Sequence, residues 1–157
     1  MPVKQKRKKS AAKSMMKTTT KSFEPEIIVF SCEWNPYICA DNAGADRTPY
    51  PPNVKIVNVN CTGRITTAFL LRAFKEGAHG VMVAACGLGE CHYISGNEEC
   101  RKRVEETASL LASAGIDKKR LAMEYFSDVH GSAFASVMER FVKKIRKLGP
   151  LTVEVAA

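Results

Sequence analysis

The stretch AACGLGECHYISGNEEC, at positions 84–100, holds three of the six cysteines in this chain. Cys86 follows an apolar run, and Gly-Leu-Gly-Glu separates it from Cys91. A segment so short and so rich in glycine is typical of a tight loop rather than of a helix or a strand. The sequence therefore predicts two thiols on one loop, where they can bind a metal or take part in redox chemistry.

Four short apolar or β-branched stretches predict strands at 27–30, 54–59, 81–85 and 121–126. Between and after them, apolar residues spaced three and four apart predict helices that end before Gly77, Gly115 and Gly149. Because strands alternate with helices, we expect an α/β fold with one parallel sheet and helices on both faces.

The order of the strands follows from their polarity. The first and third stretches are the most uniformly apolar, whereas Asn58 and Glu124 interrupt the second and fourth, so the latter two belong at the edges. The predicted order is 2-1-3-4, a small flavodoxin-like sheet. After the first strand, Pro36, Gly44 and the Tyr-Pro-Pro at 50–52 leave room for at most a short helix.

Three cysteines follow directly on predicted strands: Cys32 after the first, Cys61 after the second and Cys86 after the third. Open α/β sheets place their sites at this carboxyl edge, and adjacent strands are only about 4.8 Å apart. The Gly87–Glu90 loop can bring Cys91 to the same place. Four thiolates around one centre suit a metal ion or an iron-sulfur cluster.

Two other readings of the cysteines stay open. A free cysteine at the end of a strand is often a small core residue, and Cys100 lies on the apolar stripe of its helix, while Cys39 is undecided. Zinc also accepts four thiolates, but structural zinc sites commonly use closely spaced cysteine pairs, and the chain has no C-x-x-C. Ligands spread over three strand ends favour an iron-sulfur site.

The positive charge of the chain is concentrated at its N-terminus. The net charge is +8, and residues 1–22 carry eight Lys or Arg and no Asp or Glu. We expect a disordered basic tail at 1–22, a folded domain at 23–149 and a short C-terminal extension at 150–157. Because the rest of the chain is formally neutral, we expect no nucleic-acid partner for the folded domain.

Neither a signal peptide nor a membrane span is visible in the sequence. The tail lacks the apolar stretch of a signal peptide, and no run approaches the roughly 18 apolar residues that a membrane-spanning helix needs. We therefore expect a cytoplasmic protein, in which cysteines bind metals or undergo redox reactions more often than they form structural disulfides.

Five motifs occur in a fixed order along the chain: Cys32-Glu33-Trp34-Asn35-Pro36-Tyr37, Tyr50-Pro51-Pro52-Asn53-Val54, Cys61-Thr62-Gly63-Arg64, Gly80-Val81-Met82-Val83, and Cys86-x4-Cys91-His92-Tyr93 with Gly96-Asn97. In these motifs the chain resembles the delta subunit of methyl-viologen-reducing hydrogenase. The resemblance implies a 2Fe-2S cluster. It also implies electron transfer from a hydrogenase or formate dehydrogenase subunit to a heterodisulfide reductase A-type flavoprotein subunit in an electron-bifurcating complex.

The first motif departs from the family, which usually carries a second cysteine where this chain has Asn35. Amide groups are poor iron ligands, so the resemblance leaves the ligand set Cys32, Cys61, Cys86 and Cys91. This departure puts in doubt any role for a fifth cysteine beside the cluster.

Four more residues near these motifs are candidates for supporting roles. Arg64 could donate hydrogen bonds to cluster sulfur, bind a partner carboxylate, or be an ordinary surface residue. His92 could replace a cysteine as a ligand, although four cysteines suffice. Trp34 and Tyr37 could shield the cluster, form a docking surface, or simply pack in the core.

The sequence thus predicts an electron-transfer subunit that has no substrate turnover of its own, since it lacks a G-x-G-x-x-G motif for a dinucleotide. The alternative is a zinc-stabilised α/β adaptor whose basic tail binds nucleic acid or an acidic partner.

Overall fold

The computed structural model describes residues 23–151, which form an α/β structure with a central sheet between two layers of helices. In chain order the strands and helices are β1 (Ile27–Cys32), α1 (Asn35–Ala45), β2 (Val54–Val59), α2 (Thr67–Lys75), β3 (Gly80–Cys86), α3 (Gly96–Ser113), β4 (Leu121–Phe126) and α4 (Gly131–Leu148). The predicted basic tail and most of the predicted C-terminal extension lie outside the described residues.

The four strands form one parallel sheet in the order β2-β1-β3-β4, which confirms the prediction. The register pairs Ile27 of β1 with Val54 of β2 and with Gly80 of β3. Because the strands are parallel and in register, their carboxyl ends meet at one edge of the sheet. Strand β3 is buried along its whole length, as a central strand should be.

Each face of the sheet is covered by two helices. On one face, α1 and α4 pack over a core that includes Phe134, Met138 and Ile145. On the other, α2 and α3 pack over a core that includes Leu70, Phe74 and Leu111. Burial of these apolar stripes stabilises the fold at about 25 cal/mol for each Å² removed from water.

The ends of three helices follow the sequence prediction closely. Gly77, Gly115 and Gly149 each have a positive φ, of 101°, 78° and 75°, in the left-handed region that glycine adopts without a steric penalty. These glycines follow the ends of α2, α3 and α4, and after Gly77 and Gly115 the chain returns to the sheet as β3 and β4.

Helix α1 is longer than the sequence indicated, with eleven residues rather than a short turn. Pro36 lies in the first turn, where its missing N–H breaks no hydrogen bond, so it starts the helix instead of interrupting it. Gly44 lies near the other end of the helix and has open space around it. No helix between residues 23 and 151 is long and apolar enough to cross a membrane.

Candidate metal centre

Four cysteine sulfurs lie at the carboxyl edge of the sheet, and the strands themselves place three of them. Cys32 and Cys86 are the last residues of β1 and β3, and Cys61 follows β2 by two residues. Cys91 follows a tight turn in which the Glu90 N–H donates to the Gly87 carbonyl at 3.0 Å. Gly89 allows this turn, since its φ of 77° would strain other residues.

The four sulfurs form two pairs. The Cys86 thiol lies 3.6 Å from the Cys32 sulfur, and the Cys61 and Cys91 sulfurs lie 3.9 Å apart. Two thiolates bound to one tetrahedral metal ion at about 2.3 Å would be about 3.8 Å apart. Both pairs therefore have the spacing of two ligands on one metal ion. All four cysteines are free thiols.

The two pairs do not merge into a single compact group. Within residues 23–151, no three or more His, Cys, Asp or Glu side chains are close enough together to hold one metal ion. The pairs are nevertheless neighbours, because the backbone N–H of Thr62, beside Cys61, stabilises the Cys32 thiolate. The arrangement thus offers two adjacent two-sulfur positions rather than one four-sulfur position.

The Cys32–Cys86 pair holds a thiolate near neutral pH. The hydrogen bond from the Cys86 thiol, helped by the N–H groups of Trp34 and Thr62, lowers the pKa of Cys32 to about 6 against the opposing effect of burial. The same hydrogen bond, together with burial, raises the pKa of Cys86. The pair therefore gives up its first proton from Cys32, and a thiolate is the form that binds a metal ion.

Burial favours the thiol form of three further cysteines, Cys61, Cys39 and Cys100. Burial raises the pKa of Cys61, although the Gly63 N–H, 3.4 Å from its sulfur, acts in the opposite direction. Burial raises the pKa of Cys39 to about 11 and that of Cys100 to about 12. Cys39 donates to the Asp128 carbonyl beneath α1, and Cys100 lies in the core under α3, as predicted for Cys100. Neither belongs to one of the two pairs.

Glycine backbones allow the chain segments of the site to approach each other. A Cβ atom on Gly96 would overlap the Cys61 sulfur and would lie 3.4 Å from the Cys91 sulfur. A Cβ atom on Gly63 would lie 2.9 Å from the Gly96 Cα. The start of α3 therefore passes directly against the Cys61–Cys91 pair, and only glycine leaves room for it.

Two asparagines hold the cysteine loop in place. The buried Asn97 amide donates to the carbonyls of Cys86 and Gly87, at 3.0 and 2.8 Å. On the other side, the Asn35 amide donates to the Glu90 carboxylate at 3.1 Å and to the Phe126 carbonyl at 3.3 Å. Asn35 thus links α1, the loop and the end of β4.

The four residues with predicted supporting roles also lie at this edge. The Trp34 and His92 rings stack at 3.8 Å, so the turn after Cys32 contacts the turn after Cys91. Trp34 and Tyr37 are both more than one-third exposed, which argues against simple core packing. Arg64 lines a cleft of about 390 Å³ with Asn60, Cys61, Gly63, Tyr93 and Gly96. A separate cleft of about 450 Å³ lies between β2 and α2, away from the cysteines.

Sequence reasoning missed several residues that support the site. Arg103 on α3 donates to the carbonyls of Gly63 and Ile65, at 2.6 and 3.3 Å, and fixes the turn after Cys61. The Asn35–Glu90 contact was missed as well, because the two residues are far apart in the sequence. Gly96 and Asn97 stood in a motif, but only the packing of α3 against the thiols shows what they do.

The fold and the paired thiols define a small, doubly wound α/β protein with a sulfur-rich carboxyl edge. Residues 27–149 match the family described as methyl-viologen-reducing hydrogenase, delta subunit, and the chain belongs to that family.

Individual relatives fall into two groups, of which the first consists of proteins of similar length. The chain is 41% identical over 133 residues to the iron-sulfur subunit of the F420-non-reducing hydrogenase vhc of Methanococcus voltae, covering 85% of this chain and 92% of that protein. It is 42% identical over 135 residues to the iron-sulfur subunit of the F420-non-reducing hydrogenase of Archaeoglobus profundus, covering 86% and 98%.

The second group consists of much longer proteins. The chain is 38% identical over 138 residues to the A-type subunit of the ferredoxin:CoB-CoM heterodisulfide reductase of Methanosarcina mazei, covering 88% of this chain but only 17% of that protein. A unit like this chain therefore occurs both as a separate polypeptide and as part of a larger one.

Proposed function

We propose that this protein is an electron-transfer subunit that carries one 2Fe-2S cluster on Cys32, Cys61, Cys86 and Cys91. The observation that carries the proposal is the pairing of four thiols at the sheet edge, with separations of 3.6 and 3.9 Å. A 2Fe-2S cluster takes four cysteines, two on each iron. The names of the hydrogenase relatives, which call them iron-sulfur subunits, support the same conclusion.

Each thiol pair would hold one iron: Cys32 with Cys86, and Cys61 with Cys91. When bound, the cluster supplies reversible one-electron transfer and no other chemistry. The chain's own residues would hold it. Asn97 and Arg103 fix the loop and the turn that carry the cysteines, and the low pKa of Cys32 provides a thiolate for assembly.

The partners follow from the relatives. Some relatives are named as hydrogenase subunits, and others as the A-type polypeptide of a heterodisulfide reductase. In the latter, the unit that matches this chain is part of the same polypeptide. We propose that this chain relays electrons between a hydrogenase or formate dehydrogenase subunit and a heterodisulfide reductase A-type flavoprotein subunit, in a cytoplasmic electron-bifurcating complex.

The zinc-adaptor alternative has less support. A structural zinc ion takes four ligands around one point, whereas the four sulfurs form two separate pairs. The two-pair arrangement favours a two-metal cluster.

The visible absorption and electron paramagnetic resonance spectra of anaerobically purified full-length protein test the proposal. We expect a brown protein whose colour bleaches on reduction and whose reduced form shows a paramagnetic signal of one unpaired electron per cluster. A colourless protein that contains zinc would contradict it.

Activity measurements test the relay role separately. The isolated protein should accept an electron from a strong artificial reductant but show no hydrogenase, formate dehydrogenase or disulfide reductase activity. Turnover should appear only when partner subunits are added. Substantial turnover by the protein alone would contradict a relay and indicate an enzyme.

A further inference from the structure

One thiol pair faces a surface cleft. Cys61 lines the cleft of about 390 Å³, together with Arg64 and Tyr93. Its pair partner Cys91 is only partly buried, whereas Cys32, Cys61 and Cys86 are buried. The Cys61–Cys91 pair is therefore the part of the site nearest to the protein surface. Electron transfer is fastest when the distance between two redox centres is short, so a redox partner that docks on this side would receive or donate electrons most rapidly.

The rim of the cleft has the composition of a protein-binding site. Tyr93 is 52% exposed and Ile94 is 88% exposed. Ile94, the next residue along the chain after the cleft-lining Tyr93, also has a φ of 72°, which is unfavourable for a β-branched side chain. Large apolar and aromatic side chains beside an arginine are typical of the residues that dominate binding energy at interfaces.

The charge of the cleft favours a partner that carries carboxylates. Arg64 is exposed, and no carboxylate in the described part of the chain forms an ion pair with it. The carboxylate of Glu33 instead accepts a hydrogen bond from the amide of Asn60, another residue of the cleft, at 3.3 Å. Arg64 is thus available to pair with a partner's Asp or Glu.

We propose that electrons pass between this protein and one of its redox partners through this cleft, and that a carboxylate on the partner's contact surface pairs with Arg64. The proposal rests on the proposed function, and it assigns the Cys61–Cys91 side of the site as the contact face. The transfer moves one electron between the cluster and the partner's own redox centre, with no bond made or broken.

Small inorganic oxidants of opposite charge test the electron path. The reduced full-length protein would be mixed at low salt with hexacyanoferrate(III), an anion, or hexaammineruthenium(III), a cation; each takes one electron from the cluster. In Arg64→Glu, the ratio of the anion rate to the cation rate should fall about tenfold, since local charge steers small ions. The matched change Arg140→Glu, on the exposed side of α4, should alter the ratio much less.

The effect of Arg64→Glu should also disappear at high salt, as expected for charge steering. Equal changes in both variants, or no change in either, would overturn the proposal. The reaction is followed by the visible absorbance of the cluster; a protein with no redox-active cluster would show no such change with either oxidant, and that result would overturn the proposed function along with the inference.

A binding measurement tests the contact face without relying on electron transfer. Arg64→Lys places an amine in the cleft, and a water-soluble carbodiimide joins amines to carboxylates that touch them. With an acidic ferredoxin as the probe, peptide mapping should find a cross-link at position 64, and none at position 140 in the matched Arg140→Lys variant. Cross-links at other lysines but none at position 64 would place the contact elsewhere and overturn the proposal.

Discussion

At the scale of single residues, the site depends on what lies against each sulfur. The Cys61 sulfur lies against the Gly96 backbone and the Gly63 N–H, so the Cys61–Cys91 pair has no room for an added side chain. By contrast, the open space around Gly44 in α1 can accept one. The two glycines therefore differ in the effect that an added methyl group should have.

Gly96→Ala should displace the Cys61 sulfur and reduce the amount of cluster bound. We also expect a loss of about 1–3 kcal/mol in the free energy of unfolding of the apo protein, the usual cost of overpacking. Gly44→Ala should leave the cluster unchanged and raise stability by up to about 1 kcal/mol, because alanine favours helix. Iron analysis and urea denaturation of both variants measure these effects; normal iron content and stability in Gly96→Ala would contradict the account.

The sequence was informative about the sulfurs and less so about their surroundings. Cys32, Cys61 and Cys86 could be placed at one edge because each follows a strand of a parallel sheet. The pairing of the sulfurs could not be predicted, since it depends on the turn at Gly89 and on the approach of α3. Contacts such as Asn35 with Glu90 depend on side-chain geometry that no local pattern records.

At the scale of elements, a buried arginine joins the end of α4 to the sheet. Arg120 is 6% exposed, and its guanidinium donates to the carbonyls of His79, Gly149 and Leu148, at 3.1, 3.0 and 3.2 Å. The last carbonyls of a helix lack partners within the helix, and a cation there also interacts favourably with the helix dipole. Arg120 therefore satisfies backbone acceptors both just before β3 and at the end of α4.

Arg120→Ala should lower the free energy of unfolding by about 1–3 kcal/mol, because it leaves several half-buried carbonyls without their hydrogen bonds. The exposed Arg140→Ala, on the outer side of α4, should change it by less than about 0.5 kcal/mol. Chemical denaturation of the two variants under identical conditions measures the difference. Similar small losses in both would show that the Arg120 contacts contribute little.

Most of the fold could be predicted at this scale, because strand polarity and helix-ending glycines indicate the same arrangement of strands and helices. Interruption of β2 and β4 by Asn58 and Glu124 correctly marked the edge strands, and three glycines correctly marked helix ends. The sequence pattern underestimates the length of helix α1. Pro36 resembles a helix breaker in the sequence, whereas it lies in the first turn of the helix. The position of a proline within a helix, rather than its presence, decides its effect.

At the scale of the whole molecule, charge and core belong to different parts of the chain. Residues 1–22 hold eight basic and no acidic residues, whereas the remainder has as many basic as acidic residues. Among the residues that the structure describes, 23–151, both hydrophobic cores are built from residues after position 26. The folded domain should therefore be independent of the tail, and contacts that depend on the tail should be electrostatic.

Deletion of residues 1–22 should leave the thermal stability and the cluster content unchanged within experimental error. Any partner binding that the deletion weakens should also weaken steeply with salt in the full-length protein. Circular dichroism, iron analysis and binding measurements at two salt concentrations provide the comparison. A truncated protein that fails to fold would show that the domain boundary lies earlier in the chain.

The central claim is that Cys32, Cys61, Cys86 and Cys91 together hold one two-iron cluster. The most direct test is the metal content of anaerobically purified wild-type protein, Cys61→Ser and Cys100→Ser, measured by mass spectrometry. We predict about two iron atoms per chain in the wild type and in Cys100→Ser, and little iron in Cys61→Ser, because Cys61 belongs to a thiol pair and Cys100 does not. Full iron content in Cys61→Ser, or zinc in place of iron in the wild type, would contradict the account.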